Sequence, residues 1–107
     1  MELKTISLPR LNNLSPTLES TALKLMEEAG ELAQAIGKFR CMNGEKACYS
    51  KQETVDMMSK ELLDVAQTAV SMMFVLEQEF DINIDKEVEE HIAKLVRKGY
   101  IKAEAEK

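Results

Sequence analysis

The stretch LLDVAQTAVSMMFVL, Leu62 to Leu76, carries apolar residues on most of its circumference when it is wound as a helix. One stripe runs through Val55, Met58, Leu62, Val65, Ala69, Met72 and Leu76, with spacings of three and four. A second, adjacent stripe takes in Leu63, Ala66, Val70 and Met73. This period is helical, and a helix that is apolar nearly all round is surrounded by others. The spacing predicts a helix from Glu53 to Glu79. A chain of 107 residues has too few helices to enclose it, so a second subunit is predicted to do so.

Upstream, Leu18, Ala22, Leu25, Ala29, Leu32, Ile36 and Phe39 alternate spacings of four and three, a seam like that of a coiled coil. Ser15 is a suitable cap and Pro16 a suitable first residue for that helix. Residues 40–52 break the pattern at Asn43-Gly44, a turn signal. Downstream, Asp85 is placed to cap a third helix from about Lys86 to Lys98, closed by Gly99. The expected fold is all-α: a helical hairpin plus a third helix, completed into a four-helix type of bundle by homo-oligomerisation. One domain is expected over residues 1–107, with a core of about 15–100, an N-terminal arm of 1–14 and a frayed tail of 101–107.

Composition narrows the function. The net charge is −5, which disfavours nucleic acid or an anionic membrane as partner, because both are bound by clustered Lys and Arg. No apolar run approaches the ~20 residues that span a bilayer, and the first residues lack the apolar stretch of a secretion signal. A cytoplasmic protein is expected. Cys41 and Cys48 do not have zinc-site spacing and read as reduced thiols in or beside a loop. His91 reads as a surface residue, and the methionines as adaptable core filler. A glycine-rich phosphate loop is absent from the sequence.

The acids are more informative. Glu28 and Glu31 lie three apart on one helix face, each immediately before a seam residue, Ala29 and Leu32. Glu61 and Asp64 repeat the arrangement before Leu62 and Val65. A single such pair is what solvated helix faces commonly carry. Two pairs at the same offset from two seams converge if the helices pack antiparallel. Four acids at short range do not all remain ionised unaided, and a divalent cation relieves the repulsion. Oxygen ligands alone favour Mg²⁺ or Mn²⁺ over zinc or copper. Glu27 points farther from the seam and suits an outer supporting role. Gly30 lies off the acidic face and is expected to admit a neighbouring chain segment.

KLMEEAGELAQAI followed by KELLDVAQTAV resembles the two-part signature of MazG-like nucleotide pyrophosphohydrolases, in the all-α NTP pyrophosphatase superfamily. The shared pattern is E-E-x-x-E, a spacer, then E-x-x-D, and the resemblance runs from about Leu18 to Gly99. It implies Mg²⁺-dependent hydrolysis of an NTP or dNTP to the monophosphate and pyrophosphate, with nucleotide-pool housecleaning as a role, by a homodimer or homotetramer. It implies Glu28, Glu31, Glu61 and Asp64 as metal ligands, with Mn²⁺ a possible substitute, and Glu28 or Glu31 as the group acting on the attacking water. Lys38, Lys94, Arg97 and Lys98 would contact phosphate. Two other readings compete. One is a non-enzymatic helical interaction module. The other is a di-metal carboxylate bundle, which calls for Glu-x-x-His pairs that Glu61-Leu62-Leu63-Asp64 does not supply.

Overall fold

In the computed structural model, residues 1–41 and 49–103 are described, and among them there are three helices and no strand. Helix α1 spans Leu18–Phe39, α2 spans Lys51–Phe80 and α3 spans Ile84–Arg97. The Asn43-Gly44 turn signal, Cys48 and the last residues of the tail lie outside the described residues.

The helices begin where reciprocal hydrogen bonds can be made, which shifts two of the expected starts. Thr17, not Ser15, caps α1: the Ser20 N–H donates to the Thr17 hydroxyl at 3.0 Å and the Thr17 N–H to the Ser20 hydroxyl at 2.8 Å. This capping box satisfies two otherwise orphaned donors, which an isolated Ser15-Pro16 does not. Ser50 caps α2, accepting from the Glu53 N–H, so that helix starts at Lys51 rather than Glu53. Asn83 caps α3 by accepting from the Lys86 N–H at 3.1 Å. Asp85 instead lies in the first turn, where its charge suits the helix dipole.

The C-termini also have causes. Asp81 turns into the left-handed conformation at φ 56 and donates its N–H to the Leu76 carbonyl, ending α2. Gly99, at φ 77, ends α3: its N–H reaches the Val96 carbonyl and that of Tyr100 the Leu95 carbonyl. That pair of bonds is a Schellman closure, and it needs a residue tolerant of positive φ.

Helices α1 and α2 form the one extensive helix–helix contact among the described residues. Its composition departs from expectation. The buried residues of α1 are Thr21, Glu28 and Ala35, at intervals of seven. Those of α2 are Thr54, Thr68, Ser71 and Val75, and the line from Thr54 to Thr68 passes through Glu61. Four of the seven expected α1 seam residues, Leu18, Leu25, Leu32 and Phe39, are partly covered, but Ala22, Ala29 and Ile36 are exposed. Glu28 therefore lies inside the contact rather than beside it. The two helices meet along small and polar side chains, which allow close approach, and turn much of their apolar surface outward. Leu23 and Met26 are 70% and 75% exposed.

The N-terminal arm, residues 1–14, is not helical. It folds back over α2: the Gln67 amide donates to the Pro9 carbonyl at 2.8 Å, and the Arg10 guanidinium sits 4.7 Å from the centre of the Phe74 ring. Cys41 is disulfide-bonded, not the reduced thiol expected from sequence. A cysteine spacing unsuited to zinc does not exclude a disulfide. Among the described residues no helix is long and apolar enough to cross a membrane.

Candidate metal centre

Glu28 stands at the middle of α1 and is 5% exposed. It is brought within ligand reach of two groups of acids. One is Glu27 and Glu31 on its own helix; the other is Glu61 and Asp64 on α2. In each group of three the nearest carboxylate oxygens all lie within 4.8 Å of one another. Helical periodicity accounts for the first group, since 27, 28 and 31 fall on adjoining faces of one turn. The second requires the hairpin to be antiparallel, as Thr21 and Thr68 lining a single cavity also shows.

The electrostatics of the cluster are unbalanced. Lys24, one turn before Glu28, forms an ion pair with it at 3.0 Å and a looser one with Glu27 at 3.7 Å. The hydrogen bond to Glu28, with the charges of Glu27 and Glu28 added, raises the Lys24 pKa above its ordinary value. Against this stand four more carboxylates. The charge of Glu28, then loss of solvent and the charge of Glu61, raise the Glu31 carboxyl above its ordinary value. Glu28 Oε2 and Glu61 Oε2 are both buried without a hydrogen-bond partner. Buried anionic oxygens left unpaired are costly. A hard cation bound by oxygen would satisfy both, so the donor set fits a divalent ion of the Mg²⁺ or Mn²⁺ kind.

Of the residues singled out from sequence, Glu27, Glu28, Glu31, Glu61 and Asp64 are thus gathered at one place. The cations are not. Lys38 lies near the far end of α1, with its ammonium 5.2 Å from the centre of the Tyr49 ring. Lys94, Arg97 and Lys98 are exposed on α3, and among the described residues no ion pair links them to the acids. Sequence reasoning missed Lys24, the cation that does touch the cluster. Its signal was the Lys24–Glu28 spacing of four, which places the two on one face.

Fold and site together define a class: an all-α protein whose antiparallel hairpin carries a carboxylate cluster able to hold a divalent cation. Residues 16–99 match the family model of the MazG nucleotide pyrophosphohydrolase domain, and the chain belongs to that family. No curated protein and no solved structure matches the chain.

Proposed function

We propose that the protein hydrolyses nucleoside triphosphates, NTP or dNTP, between the α- and β-phosphates, releasing the monophosphate and pyrophosphate in a Mg²⁺-dependent reaction. The observation that carries this reading is the convergence of Glu28, Glu61 and Asp64, with the oxygens Glu28 Oε2 and Glu61 Oε2 buried and unpartnered. Glu28, Glu31, Glu61 and Asp64 would hold the cation, with Glu27 supporting from the solvent side. Mg²⁺, or Mn²⁺ in its place, supplies charge neutralisation at the phosphates and orientation of the substrate.

The chain's own residues do the rest. Glu31 is partly exposed at the edge of the cluster, and its neighbours raise its proton affinity. It is the better placed of the two candidate bases to take a proton from the attacking water, because a general base works best with its pKa moved towards the working pH. Glu28, buried and paired with Lys24, suits a fixed ligand. Lys24 joins the phosphate-binding candidates Lys38, Lys94, Arg97 and Lys98. The last three would reach phosphate when assembly brings α3 of one subunit against the site. We take residues 1–107 as one domain, acting as a homodimer or homotetramer, and the cytoplasm, where nucleotides and Mg²⁺ are held, as its setting. Housecleaning of the nucleotide pool is the role this chemistry suits. The interaction-module reading draws on the exposed Leu23 and Met26, but it leaves the buried acids without a purpose.

The test is incubation of the full chain with a panel of NTPs and dNTPs plus Mg²⁺, scoring pyrophosphate and monophosphate. Glu61→Gln should lower turnover roughly 100-fold or more, since a metal-assisted step is worth several kcal/mol, with helical circular dichroism unchanged. Wild-type protein that neither turns over a nucleotide nor binds Mg²⁺ or Mn²⁺ would overturn the proposal in favour of the interaction module.

A further inference from the structure

Beside the acid cluster lies a cavity of about 440 Å³, within the 300–1,000 Å³ range of small-molecule sites. Glu28, Asp64 and Lys24, which belong to the acid cluster, are part of its lining. Leu11, Leu14 and Pro16 supply apolar wall, and Thr68 and Ser71 hydroxyl-bearing wall. Two of the wall residues, Leu11 and Leu14, precede the matched family domain, which begins at residue 16. The arm that carries them is held by the Gln67–Pro9 hydrogen bond and by Arg10 over Phe74. Gln67, one turn beyond Asp64, also lines the cavity.

We infer that this cavity takes the nucleoside end of the substrate, and that the N-terminal arm, latched by Gln67, is its selective wall. The inference rests on the triphosphate reading above and adds what that reading does not contain: a base-and-sugar site walled in part by Leu11 and Leu14, outside the family domain. The division of chemistry supports it. The cavity is charged at the cluster, where phosphates would lie. Elsewhere it is aliphatic and hydroxylic, as a nucleoside requires. Ser71, 5% exposed, receives the Gln67 amide at 3.5 Å. Among the described residues its own hydroxyl proton is donated to no partner, which leaves it for an acceptor on the ligand. The Thr68 and Thr21 hydroxyls are instead spent on the carbonyls of Asp64 and of Thr17 and Leu18. Gln67 is a positioning residue: its amide holds the arm against the cavity.

The experiment uses methyl-labelled full chain with Mg²⁺ and a series of α,β-imido nucleoside triphosphates, which block the scissile position, and inorganic tripolyphosphate as a probe without a nucleoside. The nucleotides should move the Leu11 and Leu14 methyl signals by amounts that differ between bases. Tripolyphosphate should move the Thr68 methyl beside Asp64 and leave Leu11 in place. In parallel, Gln67→Leu should raise KM by about two- to tenfold, the worth of one hydrogen bond, with kcat and tripolyphosphate affinity unchanged. Nucleotides that move Thr68 but neither leucine would overturn the inference and leave the pyrophosphohydrolase reading standing. Equal loss of nucleotide and tripolyphosphate binding in Gln67→Leu would overturn the latch. Absence of binding by every probe would overturn both readings together.

Discussion

Glu31 shows how much of the site is electrostatic. Its carboxyl is pushed above the ordinary value of 4.5 first by the charge of Glu28, then by lost solvent and by Glu61. A carboxyl whose folded value is raised binds more protons folded than unfolded, so it opposes folding at neutral pH and the opposition fades as pH falls through the raised value. Metal-free Glu31→Gln should therefore be more stable than wild type at pH 7, with the gap closing as the pH is lowered towards the carboxylate range. Thermal melts across pH, in chelator and then with Mn²⁺, would show this; with Mn²⁺ the order should reverse, because the variant lacks a ligand. At this scale the sequence was informative about the acids. Their offset from the seam marked Glu28, Glu31, Glu61 and Asp64, although it set Glu28 on the flank of the contact rather than inside it. It was silent on Lys24, because an i, i+4 pair on a helix is ordinary until one partner is known to be buried.

For the helices, type, order and C-terminal ends were readable from the sequence, Gly99 among them, and the N-terminal caps were not. Thr17 outcompetes Ser15 because Ser20 answers it three residues on, a reciprocal pair that a search for a cap followed by Pro overlooks. The two glycines with opposite settings give a paired test. Nothing among the described residues lies within 4 Å of a Cβ built on Gly30, so no described segment of this chain uses the space that glycine leaves. Gly30→Ala should stabilise α1 by about 1 kcal/mol. Gly99→Ala should cost about 1–2 kcal/mol, because φ 77 is strained for any residue with a Cβ. Denaturant melts of both variants, at a protein concentration low enough to favour single chains, would check the signs. A loss on Gly30→Ala that appears only at high concentration would locate a partner subunit against that face.

The whole molecule is open for a chain of its length. Its radius of gyration is 17.6 Å, against about 13 Å for a compact chain of this length. Its accessible surface is 8815 Å², where a folded monomer of this mass exposes roughly 6,000 Å². The surplus is of the size that obligate subunit interfaces bury. Periodicity leads to the expectation of a covering subunit at α2, where Leu62, Leu63 and Met73 stand exposed on this chain. It could not foresee which face would turn inward, because hydropathy ranks Thr21, Glu28 and Thr68 below the leucines that remain outside. Sedimentation should give at least twice 12.1 kDa, with a melting temperature that rises with protein concentration. Met26→Glu should lower the mass towards that of one chain and remove the concentration dependence.

The heptad spacing of the small and polar residues between α1 and α2 has a consequence for slippage. Thr, Ser and Ala side chains interdigitate almost as well one step up or down, so the contact does little to forbid sliding of one helix along the other. The acids break that degeneracy. Sliding α1 by a heptad would carry Glu28 from the level of Glu61 to that of Thr54 or Thr68, where no second carboxylate meets it. A seated cation would then act as a pawl in a ratchet, choosing one alignment among several and sharpening a loosely specified hairpin into a single geometry.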